Sequence, residues 1–198
     1  MLKNVIFDCG GVLFRWDPTV IMKRYFPEEY ISMLMPVIFR EWHKLDNGTG
    51  NYEEYAEATC DLVPDELKVP VKTFFERLYF ELEPIEQTWA LIGRLLARHY
   101  HIYLLSNAPT VLAENAFVIC PLMRTFDGIV VSAPIKMVKP GREIFEYAVE
   151  QWKIKPAESL FIDDMQQNID GAKACGFNGY CYSEDADALL GYIEELSR

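Results

Sequence analysis

The sequence predicts an α/β protein with a doubly wound parallel sheet and an inserted all-helical cap. Five short apolar runs, at residues 5–7, 102–105, 128–131, 160–162 and 179–182, have the length and composition of buried parallel strands. Helical patterns separate the later runs, and strand alternating with helix is typical of an open α/β sheet. Residues 16–84 carry only helical patterns, which predicts an insertion after the first strand.

The helices of the sheet region are predicted from apolar residues that repeat on one helical face. Residues 87–99 and 144–152 both show this periodicity. We expect Pro140 in the first turn of a helix and Gly176 just beyond the end of another, because proline and glycine favour those positions.

The inserted segment is predicted to be a separate helical cap. Its expected helices are residues 25–40, 52–62 and 71–81. Prolines at positions 18, 64, 70 and 84 are expected to mark its edges and internal turns. We therefore predict a core of residues 1–15 and 85–198 and a cap of residues 16–84.

Length and charge narrow the range of partners. A chain of 198 residues with 51% hydrophobic residues can bury a sizeable core as one domain or as a core with an insertion. The formal net charge of −11 argues against nucleic acid or an anionic membrane as a partner. We expect a small-molecule substrate, and an anionic one would need a metal, a lysine or backbone amides.

Cysteine usage and the first residues indicate a cytosolic protein. The cysteines are Cys9, Cys60, Cys120, Cys175 and Cys181. They form no CxxC pair and their number is odd, which is typical of reduced thiols in the cytosol. Residues 1–13 contain Asp8 within a short apolar run, so we expect neither a signal peptide nor a membrane-spanning helix.

Polar residues follow the predicted strands at the edge where open α/β sheets bind ligands. The candidates are Asp8 after the first strand, Ser106 and Asn107 after the second, Lys139 after the third, and Asp163 and Asp164 after the fourth. These groups suit phosphoryl transfer, because its transition state spreads charge over several oxygens. An Asp can attack phosphorus and form an aspartyl-phosphate that water then hydrolyses.

The acidic residues predict a magnesium site. Asp163 and Asp164 are adjacent like charges at a strand end, and a cation would relieve their repulsion. Mg²⁺ prefers oxygen ligands from one or two carboxylates, waters and substrate phosphate, and Asp8 with Asp164 fits that description. The three histidines lack the spacing of zinc ligands.

Together, the motifs resemble those of the haloacid dehalogenase-like hydrolases that carry a helical cap. The matching segments are VIFDCGGVLF, LLSNA, MVKPGREIF and FIDDMQQNIDGAKACG, in the order of that superfamily. The resemblance implies these roles: Asp8 as nucleophile and metal ligand, the Gly10 carbonyl as metal ligand, Ser106 and Asn107 as phosphate-binding residues, Lys139 as partner of nucleophile and phosphate, and Asp164 as metal ligand supported by Asp163.

One position departs from the usual phosphatase pattern of the superfamily. Phosphatases usually have a second Asp two residues after the nucleophile, where this chain has Gly10. Dehalogenase members, which attack carbon, also lack it, but they do not normally keep the acidic pair found at Asp163 and Asp164. Sugar-1-phosphate phosphatases of a related branch share the glycine. We therefore expect a Mg²⁺-dependent phosphatase acting on a small phosphorylated metabolite, with a sugar phosphate as the first candidate.

Two alternatives to this enzyme remain open at this point. The first is a haloacid dehalogenase-type hydrolase that uses Asp8 as a carbon nucleophile. The second is a phosphate-binding protein that has lost turnover together with the second Asp.

Two further segments allow more than one interpretation. Cys9 and Arg15 have the C-x₅-R spacing of cysteine-dependent phosphatases, which we interpret as a coincidence because the metal carboxylates would then be unexplained. Residues 42–48 of the cap either face the substrate, or pack the cap through Trp42 and Leu45.

Overall fold

A five-stranded parallel sheet forms the centre of the computed structural model, which describes all 198 residues. The strands are β1 (Asn4–Phe7), β2 (His101–Ser106), β3 (Gly128–Val131), β4 (Ser159–Asp163) and β5 (Asn178–Cys181). Their order in the sheet is β3-β2-β1-β4-β5, so β1 lies in the middle and pairs with both β2 and β4. The predicted fold class is confirmed.

Helices cover the sheet and form the insertion between β1 and β2. Those of the insertion are α1 (Pro18–Met22), α2 (Glu28–Ile38), α3 (Trp42–Asp46), α4 (Tyr52–Cys60) and α5 (Asp65–Arg77). The others are α6 (Glu86–Ala97), α7 (Thr110–Ile119), α8 (Ser132–Ile135), α9 (Arg142–Trp152), α10 (Gln166–Ala174) and α11 (Ala186–Leu196). Short 3₁₀ turns occupy Leu78–Phe80, Pro121–Thr125 and Pro156–Glu158.

Both faces of the sheet are buried, as expected for parallel strands between helical layers. Successive residues of β1 alternate between the faces: Val5 and Phe7 belong to a cluster of 39 buried apolar residues, and Ile6 to a second cluster of 12. The larger cluster continues into the insertion through Leu34 and Phe74. The insertion therefore shares its apolar core with one face of the sheet.

The chain enters and leaves the insertion through two segments that lie side by side. The Arg15 amide donates a hydrogen bond to the Glu83 carbonyl (2.8 Å), and the Ile85 amide donates to the Leu13 carbonyl (2.9 Å). Between these crossings the chain contains helices and no strand of the sheet. The assignment of residues 16–84 as a cap domain stays a prediction. Its predicted boundaries lie at these two paired segments.

Two prolines, Pro70 and Pro140, differ from the prediction, whereas Pro18 and Pro64 stand at helix starts as expected. Pro70 lies inside α5, which begins at Asp65 and not at residue 71. The buried face formed by Leu67, Val71 and Phe74 stabilises the helix through the proline, because tertiary packing outweighs local propensity. Pro140 lies outside a helix: it forms a cis peptide bond with Lys139, and α9 begins at Arg142.

Two expectations about the chain's environment can be compared with the structure. No helix combines the length and the apolar character that crossing a bilayer requires. All the cysteines are free thiols. The cytosolic location stays a prediction.

The aromatic centre of the insertion predicts a large loss of stability on truncation. The Phe74 side chain is 0% exposed and its ring contacts those of Tyr25, Phe26 and Phe39. Phe74→Ala should lower the free energy of unfolding by about 3–5 kcal/mol in urea titrations, since it leaves a cavity. Phe80→Ala is the matched control, because Phe80 is 47% exposed. Equal losses in the two variants would contradict this account of the core.

Candidate active site

The carboxyl ends of three central strands bring the predicted site residues to one cavity of about 320 Å³. Asp8 directly follows β1, Ser106 ends β2, and Asp163 ends β4. Lys139 comes from the segment between α8 and α9. The predicted residues that line the cavity are Asp8, Gly10, Ser106, Asn107, Lys139 and Asp164. Asp163 lies behind them and contacts Lys139.

A buried lysine between two aspartates is the electrostatic centre of the site. Lys139 Nζ lies 2.8 Å from Asp8 Oδ1 and 2.6 Å from Asp163 Oδ2, and the lysine side chain is 0% exposed. Burial by itself would lower the pKa of Lys139, but the charges of Asp8 and Asp163 outweigh burial and raise that pKa. The lysine therefore stays protonated beside the predicted nucleophile.

Hydrogen bonds hold Asp163 in place from two directions. The Met165 amide donates to Asp163 Oδ1 (2.8 Å), and Asn168 Nδ2 donates to both carboxylate oxygens at 3.0 Å. With Lys139 on Oδ2, each oxygen of Asp163 has at least two donors. Asp163 is thus placed to fix the lysine, and its predicted support of a metal site at Asp164 stays a prediction.

Asn107 fixes the backbone around Lys139 through two reciprocal hydrogen bonds. Its Nδ2 donates to the Lys139 carbonyl (2.9 Å), and the Lys139 amide donates to its Oδ1 (2.8 Å). One N–H of the amide group is left for a ligand in the cavity. Ser106, at the preceding position, is buried at the end of β2.

Asp8 occupies an environment that disfavours an isolated carboxylate. Burial raises its pKa to about 7, Lys139 acts in the opposite direction, and Asp163 raises the pKa further. Asp8 Oδ1 lies 2.8 Å from the Lys139 ammonium, and no other protein group donates a hydrogen bond to it. A further cation next to Asp8 would stabilise its charged form.

The carboxylates around this point fit a hard divalent cation. Asp8, Asp163 and Asp164 each offer an oxygen, and these oxygens all lie within 4.8 Å of one another. A buried amide oxygen at the site, Asn168 Oδ1, accepts no hydrogen bond from the protein. Since Mg²⁺ binds through carboxylate and carbonyl oxygens, the residues present fit the predicted ion.

Gly11 makes room for this carboxylate group. Its φ is +70°, a conformation that favours glycine, and a Cβ at this position would overlap the Asp164 carboxylate. The glycine therefore allows the loop after β1 to pass directly beside Asp164.

Residues 42–48 of the insertion both pack its interior and line the cavity, the two alternatives that the sequence left open. Leu45 is buried in the core of the cap, and His43 is exposed. Trp42 and Asp46 line the same cavity as Asp8. Burial raises the pKa of Asp46 to about 7, with the charge of Asp8 acting in the same direction and Lys139 and Trp42 in the opposite one.

Asp46 lines the cavity, but the sequence analysis did not name it as a site residue. The sequence singled out its segment but gave no sign of which side chain faces the core, because the short α3 has too few residues to show a periodic face. The placement of Asp46 depends on contacts that are distant in sequence. Ser132 Oγ donates to the Asp46 carbonyl (2.5 Å) and accepts from the Ala108 amide (2.9 Å).

The thiol alternative lacks support in the geometry. Cys9 is buried, and burial followed by the charge of Asp8 raises the pKa of its thiol well above the ordinary value, so a nucleophilic thiolate is disfavoured. Arg15 does not line this cavity: it pairs with Glu184 (2.8 Å) and Glu83 (3.2 Å). The C-x₅-R spacing of Cys9 and Arg15 therefore does not form a phosphate-binding loop.

Comparison of the sequence with known protein families identifies the class of enzyme to which this site belongs. A family profile described as haloacid dehalogenase-like hydrolase matches residues 2–176. This chain belongs to the haloacid dehalogenase-like hydrolases.

Individual relatives of the chain include two named as phosphatases and one named as a dehalogenase. A D-ribitol-5-phosphate phosphatase from Bacteroides thetaiotaomicron is 27% identical over 94% of this chain and 95% of its own length. The sesquiterpene phosphatase astK of Aspergillus oryzae is 27% identical over 89% of this chain and 88% of its own. An (S)-2-haloacid dehalogenase from a Pseudomonas species is also 27% identical, over 89% and 82%.

A solved structure supports the fold independently. A haloacid dehalogenase family enzyme from Bacteroides thetaiotaomicron, in complex with magnesium and inorganic phosphate, superposes with a TM-score of 0.67. The two chains are 24% identical, and the match covers 93% of this chain and 96% of the other.

Removing Lys139 should destabilise the protein strongly. Lys139→Met leaves the fully buried Asp163 without its cation, and breaking one side of a buried ion pair costs about 3–5 kcal/mol. Urea unfolding of the purified variant measures this loss. Lys44→Met is the matched control, since Lys44 pairs with Glu41 at the surface and its loss should change little. A Lys139→Met protein as stable as the control would refute the bridging role.

Gly11→Ala should weaken magnesium binding while the fold remains. The added methyl group displaces the Asp164 carboxylate, and disturbing residues around a metal site typically lowers affinity by about 10–100-fold. Calorimetric titration with Mg²⁺ measures the change. Gly93→Ala in α6 is the control, because a Cβ there would meet nothing within 4 Å. Unchanged affinity in Gly11→Ala would exclude Asp164 as part of a metal site.

Proposed function

We propose that the protein is a Mg²⁺-dependent phosphatase that hydrolyses a small phosphate monoester through an aspartyl-phosphate on Asp8. The observation that carries this proposal is the Lys139 bridge, with its ammonium 2.8 Å from Asp8 and 2.6 Å from Asp163 at one end of the cavity. The bridge gives a buried carboxylate a fixed orientation and a neighbouring positive charge. Both are requirements of a carboxylate that attacks a phosphorus atom.

The residues around Asp8 have distinct tasks in this reaction. Ser106 and the free N–H of Asn107 bind phosphate oxygens, and Lys139 neutralises the charge that develops on them. Asp8 forms the bond to phosphorus as the bond to the leaving oxygen breaks. Water then attacks the same phosphorus and releases phosphate and the Asp8 carboxylate.

Magnesium would be held by Asp8, Asp164 and the Gly10 carbonyl, with Asp163 in support. When bound, the ion offsets the negative charge of the phosphate and of the clustered carboxylates. The three carboxylates within 4.8 Å support this assignment.

A small substrate fits the dimensions of the site. The cavity measures about 320 Å³, which is at the lower end of small-molecule sites, at roughly 300–1,000 Å³. One relative is named for D-ribitol-5-phosphate, a phosphorylated polyol, and supports a sugar phosphate or related metabolite as the first candidate. The second relative is named for a sesquiterpene substrate, so an apolar ester belongs in the same panel.

The cluster of Asp8, Asp163 and Asp164 favours a phosphatase over a dehalogenase. A carboxylate that attacks carbon needs no metal. Without a cation, the repulsion between Asp164, Asp163 and Asp8 would then be left uncompensated. The relative that is a 2-haloacid dehalogenase keeps this second function open to test. Chloride release from a 2-haloacid in the absence of metal would support it.

Hydrolysis assays test the proposed function directly. The wild type should hydrolyse p-nitrophenyl phosphate and at least one metabolite phosphate with Mg²⁺, and EDTA should abolish the activity. Asp8→Asn should be inactive, since the amide cannot attack phosphorus. Asp187→Asn is the matched control, because the Asp187 side chain is 96% exposed.

The outcome of these assays separates three functions. Activity that depends on both metal and Asp8 supports the phosphatase. A protein that binds inorganic phosphate without turnover of any ester would instead be a binding protein. Activity retained by Asp8→Asn would refute the proposed nucleophile.

A further inference from the structure

The proposed reaction requires a proton donor for the leaving oxygen, and the loop after Asp8 does not supply one. Gly10 has no side chain, and a Cβ at this position would lie 3.3 Å from the Cβ of Trp16. Trp16 therefore packs closely against the Gly10 position. A proton donor has to come from elsewhere in the cavity.

The side chains that line the cavity leave one unassigned carboxyl group. Those able to exchange a proton are Asp8, Cys9, Asp46, Tyr79, Lys139 and Asp164. Asp8 and Lys139 form an ion pair, and Asp164 belongs to the carboxylate group that fits a metal. Burial raises the pKa of both the Cys9 thiol and the Tyr79 hydroxyl well above their ordinary values.

Asp46 lines the cavity from the insertion. It is the last residue of α3, and it does not belong to the three carboxylates that lie within 4.8 Å of one another. Its backbone is fixed, because Ser132 Oγ donates to its carbonyl at 2.5 Å. Gly48 packs so closely on α8 that a Cβ there would overlap the Ala133 carbonyl.

We propose that Asp46 is the general acid and base of the reaction, an inference that rests on the phosphatase function proposed above. As Asp8 bonds to phosphorus, the bond to the ester oxygen breaks and the Asp46 carboxyl gives its proton to that oxygen. The product alcohol leaves. The Asp46 carboxylate then takes a proton from the water that attacks phosphorus, and the bond between phosphate and Asp8 breaks.

Leaving groups of different basicity test this role. A p-nitrophenolate ion leaves without a proton, whereas the alkoxide of benzyl phosphate needs one. Asp46→Asn should therefore lower kcat/KM for benzyl phosphate by about 10²–10⁴-fold and affect p-nitrophenyl phosphate far less, with phenyl phosphate between them. Asp46→Glu, which keeps the carboxyl group, should recover part of the benzyl phosphate activity.

Two further variants separate chemistry from structure. Ser132→Ala removes both the hydrogen bond to the Asp46 carbonyl and the one from the Ala108 amide. Beyond any loss common to the three esters, it should give the same dependence on leaving group with a smaller amplitude. Asp61→Asn removes an exposed carboxylate of the same insertion and should leave all three substrates unaffected. Circular dichroism of each variant verifies that it is folded.

The two proposals fail in different ways. If wild-type activity depends on Asp8 but Asp46→Asn lowers kcat/KM equally for all three esters, the phosphatase stands and the acid-base role is wrong. Unchanged kinetics in Asp46→Asn would overturn that role as well. A wild type inactive on every ester, including the metabolite panel, would overturn both proposals.

Discussion

The buried ion pairs of Lys139 are the constraint on which the rest of the site depends. An ammonium group with no exposed surface is stable only if anionic partners compensate for lost hydration, and Asp8 and Asp163 provide that compensation. Asp163 must in turn be fixed, which Asn168 and the start of α10 achieve. The geometry of the predicted nucleophile therefore follows from a network that the fold cannot relax without leaving a buried charge unpaired.

Parallel topology explains why this network forms where it does. The carboxyl ends of β1, β2 and β4 lie side by side at one edge, so single residues beyond each strand meet although they are distant in sequence. The insertion follows β1 in the chain, and its helices therefore begin at the same edge of the sheet. The shared apolar cluster then holds the insertion against the sheet, and the cavity lies between the two.

The sequence predicted the sheet better than the insertion, for a physical reason. Buried parallel strands are continuous apolar runs, and all five were found to within about two residues. The residues after the strands were identified by chemistry, and the structure brings them together. The helices α1, α3, α7, α8 and α11 escaped prediction, and of these α3 and α7 show no clear one-sided pattern. Pro70 misled, since packing overrode its local preference. Asp46 could not be chosen, because only tertiary contacts decide which way it faces.

A proton donor on the insertion would be linked to the phosphate-binding segment that follows β2. Where α3 packs on α8, Ser132 joins the Asp46 carbonyl to the Ala108 amide beside Asn107. The same serine thus contacts both the phosphate-binding segment and the acid. The position of the proposed acid and that of the phosphate-binding segment are therefore coupled through one side chain.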